Sequence, residues 1–139
     1  MALKKTAAQM VSEARARIEE IDSIEAIAML DEVYIDERVT GYIVDVVRAT
    51  RDPASVNLDD LAELIDTGAS PRASISLALA ARAHAFMAGR AYVTPQDVKS
   101  IAHDVMRHRI IVNFHGQADG ITADKMIDDV LGKVRPPSE

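Results

Sequence analysis

The segment from Pro71 to about Ala88 is apolar on nearly every face, and this feature most restricts how the chain can fold. Its large side chains stand among many small ones: Ile75, Leu77, Leu79, Phe86 and Met87. A helix without a polar face is stable only when other elements surround it. We therefore predict that this segment is the central, buried helix of its domain.

The amino-acid composition favours an all-α fold, a small bundle of about five to six helices. The chain has 139 residues, of which 48% are hydrophobic but only 4% aromatic. A core built from Ala, Leu, Ile, Val and Met suits closely packed helices better than stacked sheets. This length supports one compact domain.

The charge and the absent residue types exclude several functions. The net charge is -6 and no basic run is longer than Lys4-Lys5, so nucleic-acid binding is not expected. The chain has no Cys, which excludes disulfides and Cys-ligated zinc and suits a reducing cytoplasm. No apolar stretch approaches the roughly 20 residues of a membrane-spanning helix. We expect a cytoplasmic protein that does not contact membranes.

Periodicity and turn residues predict the elements on either side of the apolar segment. An amphipathic helix is predicted from Thr6 to Asp31, with a stripe formed by Val11, Ala14, Ile18 and Ile21. A second begins at an Asp36 N-cap and stops at Asp52-Pro53. A short third helix begins at Asn57 or Asp59 and runs through Leu61, Leu64 and Ile65 to Thr67-Gly68.

Two Ser/Thr-Pro pairs predict helix starts. In Gly68-Ala69-Ser70-Pro71, Gly68 ends the preceding helix, Ser70 is the N-cap and Pro71 is the first helical residue. Thr94-Pro95, with Asp97 completing a capping box, starts a helix that runs to about His108. Further on, we predict an extended segment at 110–114, a loop at 116–120, and a last helix capped by Thr122 that ends before Pro136.

Nucleotide-hydrolysing motifs are absent from the sequence. The only Gly-Lys pair, Gly132-Lys133, is followed by Val134 and lacks the upstream glycine of a phosphate loop. Residues 27–32, Ile-Ala-Met-Leu-Asp-Glu, imitate a Walker B strand, but they continue a helical pattern and are predicted to be a helix end. The chain alone is not expected to hydrolyse ATP.

Arg72 is the candidate functional residue. It stands in the first turn of the predicted helix, where the helix dipole disfavours a cation by about 0.3–1 kcal/mol. Its neighbours at three- and four-residue spacing, Ile75 and Ser76, carry no carboxylate. A phosphate beside the helix N-terminus would compensate the charge. The alternative is an arginine that points to water or contacts Asp66.

The four histidines do not form a recognisable metal site. His103 and His108 are five residues apart and so do not share a helix face, which leaves a metal-dependent enzyme using His103, Asp104 and His108 a poor alternative. His84 is interpreted as a core histidine bonded to a carbonyl group. His108-Arg109 fits the favourable placement of cations at a helix C-terminus.

Five stretches of the sequence together resemble the C-terminal lid of MoxR-family AAA+ ATPases, over roughly residues 25 to 137. They are Tyr34–Asp36, Tyr42–Arg51, Gly68–Ala73, Gly89-Arg90 with Tyr92–Val98, and His108–Ile110. The resemblance implies that Arg72, mounted on Ser70-Pro71, is the sensor 2 arginine that contacts the γ-phosphate of ATP, held with Mg²⁺ by a separate AAA+ core. It also implies Tyr42 and Ile43 as weaker candidates for packing near the adenine, with packing in the domain core as the alternative.

The resemblance further implies a ring, commonly a hexamer, which remodels or inserts metal into partner proteins, often ones with von Willebrand A domains. We expect little ATP binding by this chain alone. The expected organisation is an amphipathic leader (1–22), the lid (23–137) and a tail (138–139). Residues 1–22 do not match the family, which leaves open an alternative: a free-standing helical interaction module that docks through the Val11-Ala14-Ile18-Ile21 stripe.

Overall fold

The computed structural model describes residues 6, 8, 9, 12, 13, 16 and 22–138. These residues form an all-α domain with one small sheet, which confirms the predicted fold class. The helices are α1 (Ser23–Asp31), α2 (Glu37–Arg51), α3 (Asp59–Ala62), α4 (Arg72–Met87), α5 (Pro95–Met106), α6 (Phe114–Ala118) and α7 (Ala123–Lys133). The strands are β1 (Ile65–Thr67) and β2 (Ile111–Val112), and 3-10 turns span Pro53–Val56 and Arg107–Arg109.

Side-chain caps fix the starts of three helices where the sequence predicts them. The Asp36 carboxylate accepts a hydrogen bond from the backbone N–H of Arg38 at the start of α2. Thr94 and Asp97 form the predicted capping box of α5, and the Thr122 hydroxyl accepts from a backbone N–H of α7. Each cap satisfies an N–H that the helix itself leaves without a partner.

The core lies between α2, α4, α5 and α7, whose inward side chains are fully buried. The largest of these are Ile43, Leu77, Met106, Met126 and Ile127. Helix α4 packs most extensively against α5 and next against α2. It meets them through small residues, which lets the helix backbones approach closely.

Helix α4 is not buried on every side, so the prediction of a fully surrounded central helix is wrong. Its buried residues form one stripe at four-residue steps: Ala73, Leu77, Ala81 and Ala85. Ile75 and Leu79 are 65% and 56% exposed, and Met87 is 85% exposed. Only a narrow stripe of small residues fits the close contact, and the larger side chains are left outside it.

The helix predicted from Thr6 to Asp31 is interrupted at Asp22, and residues on both sides of Asp22 are helical. Asp22 has an extended backbone (φ -78°, ψ 167°), and its carboxylate accepts a hydrogen bond from the N–H of Glu25. A helix continuous from Thr6 to Asp31 is therefore excluded, because Asp22 is an N-cap. The predicted Val11-Ala14-Ile18-Ile21 stripe lies outside the described residues. The Walker B-like residues 27–32 are helical up to Asp31, as predicted.

The small sheet corrects two boundaries. Strands β1 and β2 are antiparallel, with Ile65 opposite Val112 and Thr67 opposite Ile111. The short helix predicted to run through Ile65 therefore ends at Ala62, while the predicted extended segment is confirmed at Ile111–Val112. The loop predicted from Gly116 is in part helix α6, because the Asn113 side chain caps it by accepting from the Gly116 N–H at 3.0 Å.

Within the described ranges, no helix combines the length and the apolar character that crossing a bilayer requires.

Candidate functional site

The segment that leads into α4 is anchored to the end of α2 by a buried threonine. Thr50 is fully buried, and its hydroxyl donates to the carbonyl of Val47 at 2.7 Å. The same oxygen accepts a hydrogen bond from the N–H of Ala69 at 2.9 Å. The Thr50 side chain thus satisfies a buried backbone donor and fixes the position of the segment against the end of α2.

A glycine is required at position 68 because the backbone of Thr50 leaves no room for a side chain there. Gly68 follows β1 and has no positive φ, so the prediction that it ends a helix is wrong. A Cβ atom at Gly68 would collide with the backbone carbonyl oxygen of Thr50. Backbone cannot move aside as a flexible side chain can, so only glycine lets the two segments come this close.

The first turn of α4 starts without the predicted serine cap. The helix begins at Arg72 rather than Pro71, and in the described part of the chain no side chain caps it. Instead, the carbonyl of Ser70 accepts from the Ala73 N–H at 2.8 Å, and that of Pro71 accepts from the Ser74 N–H at 3.1 Å. The Ser70 hydroxyl is therefore left free of the capping role, and Pro71 starts the turn with its fixed φ.

Arg72 is exposed at the start of this turn. Among the residues that the structure describes, its guanidinium has no ion-pair or hydrogen-bond partner, and Asp66 does not pair with it. The predicted alternative of a contact with Asp66 is thus not observed, and the side chain of Arg72 is exposed to solvent. What remains is an uncompensated cation at the positive end of a 16-residue helix.

Sequence reasoning missed two residues that lie beside this turn. The Ser76 hydroxyl donates to the carbonyl of Arg72 at 3.4 Å and accepts from Nη2 of Arg109 at 3.3 Å. Arg109 also donates from Nε to the carbonyl of Val105 at 2.9 Å, in agreement with the predicted role of a cation at a helix C-terminus. The contact with α4 is long-range and has no signal in local sequence.

Tyr42 and Ile43, the candidates for adenine packing, lie on the buried face of α2 and are 3% and 1% exposed. They are about 12 Å along the helix axis from Thr50, at 1.5 Å per residue. Burial raises the pKa of the Tyr42 hydroxyl. That hydroxyl has no hydrogen-bond partner in the described structure, which is uncommon for a buried polar group.

A buried carboxylate braces the other end of α4. Asp97 is 1% exposed and accepts hydrogen bonds from Arg90, from the N–H and hydroxyl of Thr94, and from Nδ1 of His84 at 2.7 Å. Burial alone would raise the pKa of Asp97, but the hydrogen bonds from Arg90, Thr94 and His84 outweigh it and hold that pKa well below its usual range.

This network joins α4 to α5. The prediction that His84 bonds to a carbonyl group is wrong, because its partner is the Asp97 carboxylate. Three motif residues, Arg90, Thr94 and Asp97, therefore have a structural role: they hold the C-terminal half of α4 in place through His84.

The remaining histidines give no support to a metal centre. His103 bonds through Nε2 to Asp128 at 2.9 Å. Within the described residues, no three His, Asp or Glu side chains are grouped closely enough to hold a metal ion.

A groove of about 730 Å³ lies elsewhere on the surface. It is lined by Tyr34 and Tyr92, whose backbones form an isolated bridge, and by Lys99 and the Pro136-Pro137 segment. None of Ser70, Pro71 and Arg72 lines it. The groove is thus separate from the predicted site, which lies at the exposed start of α4.

The sequence of this chain matches a known domain family and several known proteins. The model of the AAA lid domain family matches residues 59–130. Chaperone MoxR1 of Mycobacterium tuberculosis is 39% identical over 104 residues, 75% of this chain and 28% of that protein. Protein MoxR of Paracoccus denitrificans is 45% identical over 76 residues, 52% of this chain and 22% of that protein.

A solved structure supports the same fold. The crystal structure of a "putative ATPase" from Cytophaga hutchinsonii superposes with a TM-score of 0.81 at 32% identity, covering 99% of this chain and 45% of that one. The chain spans less than a third of the length of the MoxR proteins above.

Proposed function

The chain belongs to the AAA lid domain family, as the C-terminal lid of a MoxR-type AAA+ ATPase, and from this premise we propose that Arg72 is its sensor 2 arginine. In this proposal Arg72 contacts the γ-phosphate of ATP that a AAA+ core binds together with Mg²⁺. The lid then couples ATP binding and hydrolysis in the core to the remodelling of partner proteins.

One observation carries the proposal: Arg72 is an exposed cation with no ion-pair partner in the described structure, placed in the uncapped first turn of α4. The helix dipole opposes this charge by about 0.3–1 kcal/mol. A phosphate would reverse the sign of the interaction, because it attracts both the guanidinium and the positive end of the helix dipole.

The surroundings of Arg72 suit a sensor that transmits motion. The N-terminal end of α4 is held to α2 through Thr50, and its C-terminal half is held to α5 through Asp97. A phosphate that pulls on Arg72 would therefore move α4 with the helices attached to it, since packed elements shift as rigid bodies. The chain itself supplies the charge and the lever, while the core supplies ATP, Mg²⁺ and the hydrolytic groups.

We also propose that the ATPase works as a ring, commonly a hexamer, in the cytoplasm. Its clients are proteins that it remodels or loads with metal, including proteins with von Willebrand A domains. The similarity to chaperone MoxR1 supports client remodelling.

Replacement of Arg72 tests the proposal in the ATPase formed by this lid and its AAA+ core. Arg72→Ala should lower kcat for ATP hydrolysis about 10- to 100-fold, because a charge-assisted hydrogen bond contributes about 1.5–3 kcal/mol. Arg72→Lys should recover only part of the loss, since an ammonium cannot bind phosphate with two parallel N–H groups. Arg135→Ala removes an exposed arginine from the segment after α7 and serves as the matched control.

The isolated chain should bind ATP very weakly, because the phosphate loop lies in the core. Calorimetry on the chain that showed tight, Arg72-dependent ATP binding would overturn this division of labour. An Arg72→Ala ATPase with unchanged kcat would overturn the sensor role.

A further inference from the structure

Arg109 is a half-buried arginine held only by neutral groups. Its Nε donates to the carbonyl of Val105 at 2.9 Å and its Nη2 to the hydroxyl of Ser76 at 3.3 Å. In the described part of the chain it has no carboxylate partner, whereas Arg107, two residues earlier, pairs with Asp104 and Asp124. Neutral acceptors fix the direction of the guanidinium and leave its positive charge uncompensated.

The hydroxyl that holds Arg109 also contacts the backbone of Arg72. Ser76 donates to the carbonyl of Arg72 at 3.4 Å, which is longer than the usual O–H···O distance of about 2.5–3.0 Å and makes this a weak hydrogen bond. The two residues are four positions apart on α4 and thus lie on one face, about 6 Å from each other along the axis. Arg109 therefore supports the first turn of α4 on the face that carries Arg72.

This support acts on a first turn that has no side-chain cap among the described residues. No side chain caps the start of α4 in the described structure, and an uncapped first turn is prone to fraying. Arg72 stands in that turn, so any fraying would displace its guanidinium. A displacement of about 1 Å at a group that acts on the reacting centre can cost about 100-fold in rate.

We propose that Arg109 is a positioning residue for Arg72, acting through Ser76 to fix the first turn of α4. The proposal rests on the sensor role of Arg72. Arg109 itself contacts no phosphate in this scheme. Arg109 holds Arg72 in the position in which its guanidinium contacts the bound γ-phosphate.

Mild substitutions in the ATPase formed by this lid and its core test the proposal. Ser76→Ala should lower kcat about 3- to 10-fold and leave KM for ATP within about twofold, because it removes one hydrogen bond and no charge. Arg109→Gln should lower kcat at least as much. Ser76→Thr keeps the hydroxyl and should restore kcat to within about twofold. Ser74→Ala is the matched control, since Ser74 is equally half-buried on the same helix and its hydroxyl has no described partner.

Combination with Arg72→Ala separates positioning from a purely structural role. If Arg109 acts through Arg72, then Ser76→Ala and Arg109→Gln should cause no further loss of kcat once Arg72 is alanine. An undiminished further loss, or unchanged kcat in the single Ser76→Ala variant, would overturn the positioning role. Unchanged kcat in Arg72→Ala alone would instead overturn the sensor proposal, and the positioning role with it.

Discussion

Replacing Asp97 by Asn should show how much the buried brace between α4 and α5 contributes to stability. The variant keeps the shape of the side chain and one acceptor oxygen, but it removes the charge and turns an amide NH₂ group toward donors. Removing one partner of a buried ion pair costs about 3–5 kcal/mol. Arg90 and His84 are 28% and 40% exposed and can recover some hydration, so we expect the lower end of that range, about 3 kcal/mol.

Urea unfolding of the chain, followed by circular dichroism, measures this free energy. Asp45→Asn is the control, because Asp45 is an exposed aspartate on α2 that makes no described ion pair. The control should change the free energy of unfolding by less than about 0.5 kcal/mol. A loss of unfolding free energy below about 1 kcal/mol for Asp97→Asn would show that the contacts of Arg90 and His84 with the carboxylate contribute little to stability.

The same pair of proteins gives a pH test. The pKa of Asp97 in the folded chain lies below its ordinary value of 3.8, so the folded state binds fewer protons than the unfolded state. The stabilisation is therefore complete above about pH 5 and is lost as the pH falls below about 4 toward the folded pKa. The difference in unfolding free energy between wild type and Asp97→Asn should be constant from about pH 5 to 7 and should shrink in acid. A difference that grows in acid would contradict the assigned direction of the pKa shift.

Four further substitutions test packing, each by urea unfolding. Gly68→Ala should destabilise the chain by more than about 2 kcal/mol, because the added Cβ collides with the carbonyl of Thr50. Gly41→Ala should instead stabilise the chain by about 0.5–1 kcal/mol, because the space around Gly41 is open and alanine favours the helix. Equal effects would refute the close approach at Gly68. Leu77→Ala should cost about 2–5 kcal/mol, while Leu79→Ala, at a position 56% exposed, should cost under about 1 kcal/mol. Similar losses for the two leucines would show that the outer face of α4 is covered.

Local chemistry in the sequence predicted most helix starts, because a cap depends on residues two or three positions apart. Thr94 and Asp97, or Thr122 before α7, can be recognised without knowledge of the fold. Asp22 followed by Glu25 is the same kind of pattern, and it marks the start of α1 inside a segment that periodicity alone predicted as one helix. There the cap, and not the absence of Gly and Pro, decided the boundary.

The burial of α4 could not be predicted, since it depends on which stripe the neighbouring helices contact. The sequence contains apolar residues all around this helix, and the structure selects the stripe of Ala73, Leu77, Ala81 and Ala85 because small side chains permit close packing. Strand β1 escaped prediction for a similar reason: Ile65 pairs with Val112, which is far away in the sequence.

The candidate site was predictable only in part. The anomaly at Arg72, a cation in the first turn of an apolar helix, is visible in the sequence and survives in the structure as an exposed arginine. The contact between Ser76 and Arg109 is not, because 33 residues separate them. The same holds for the Thr50 hydroxyl that receives the N–H of Ala69.

That last contact has a consequence for engineering. The loop before α4 is set by a hydroxyl from α2 and by the missing side chain of Gly68, so its geometry is not a property of the five-residue motif itself. Transplanting residues 68–72 into another helical scaffold would transfer the arginine but would not reproduce the position of its guanidinium. A functional graft must include Thr50 and the last turn of α2 as a second, discontinuous piece, and a swap of whole lids between ATPases should succeed where a motif swap fails.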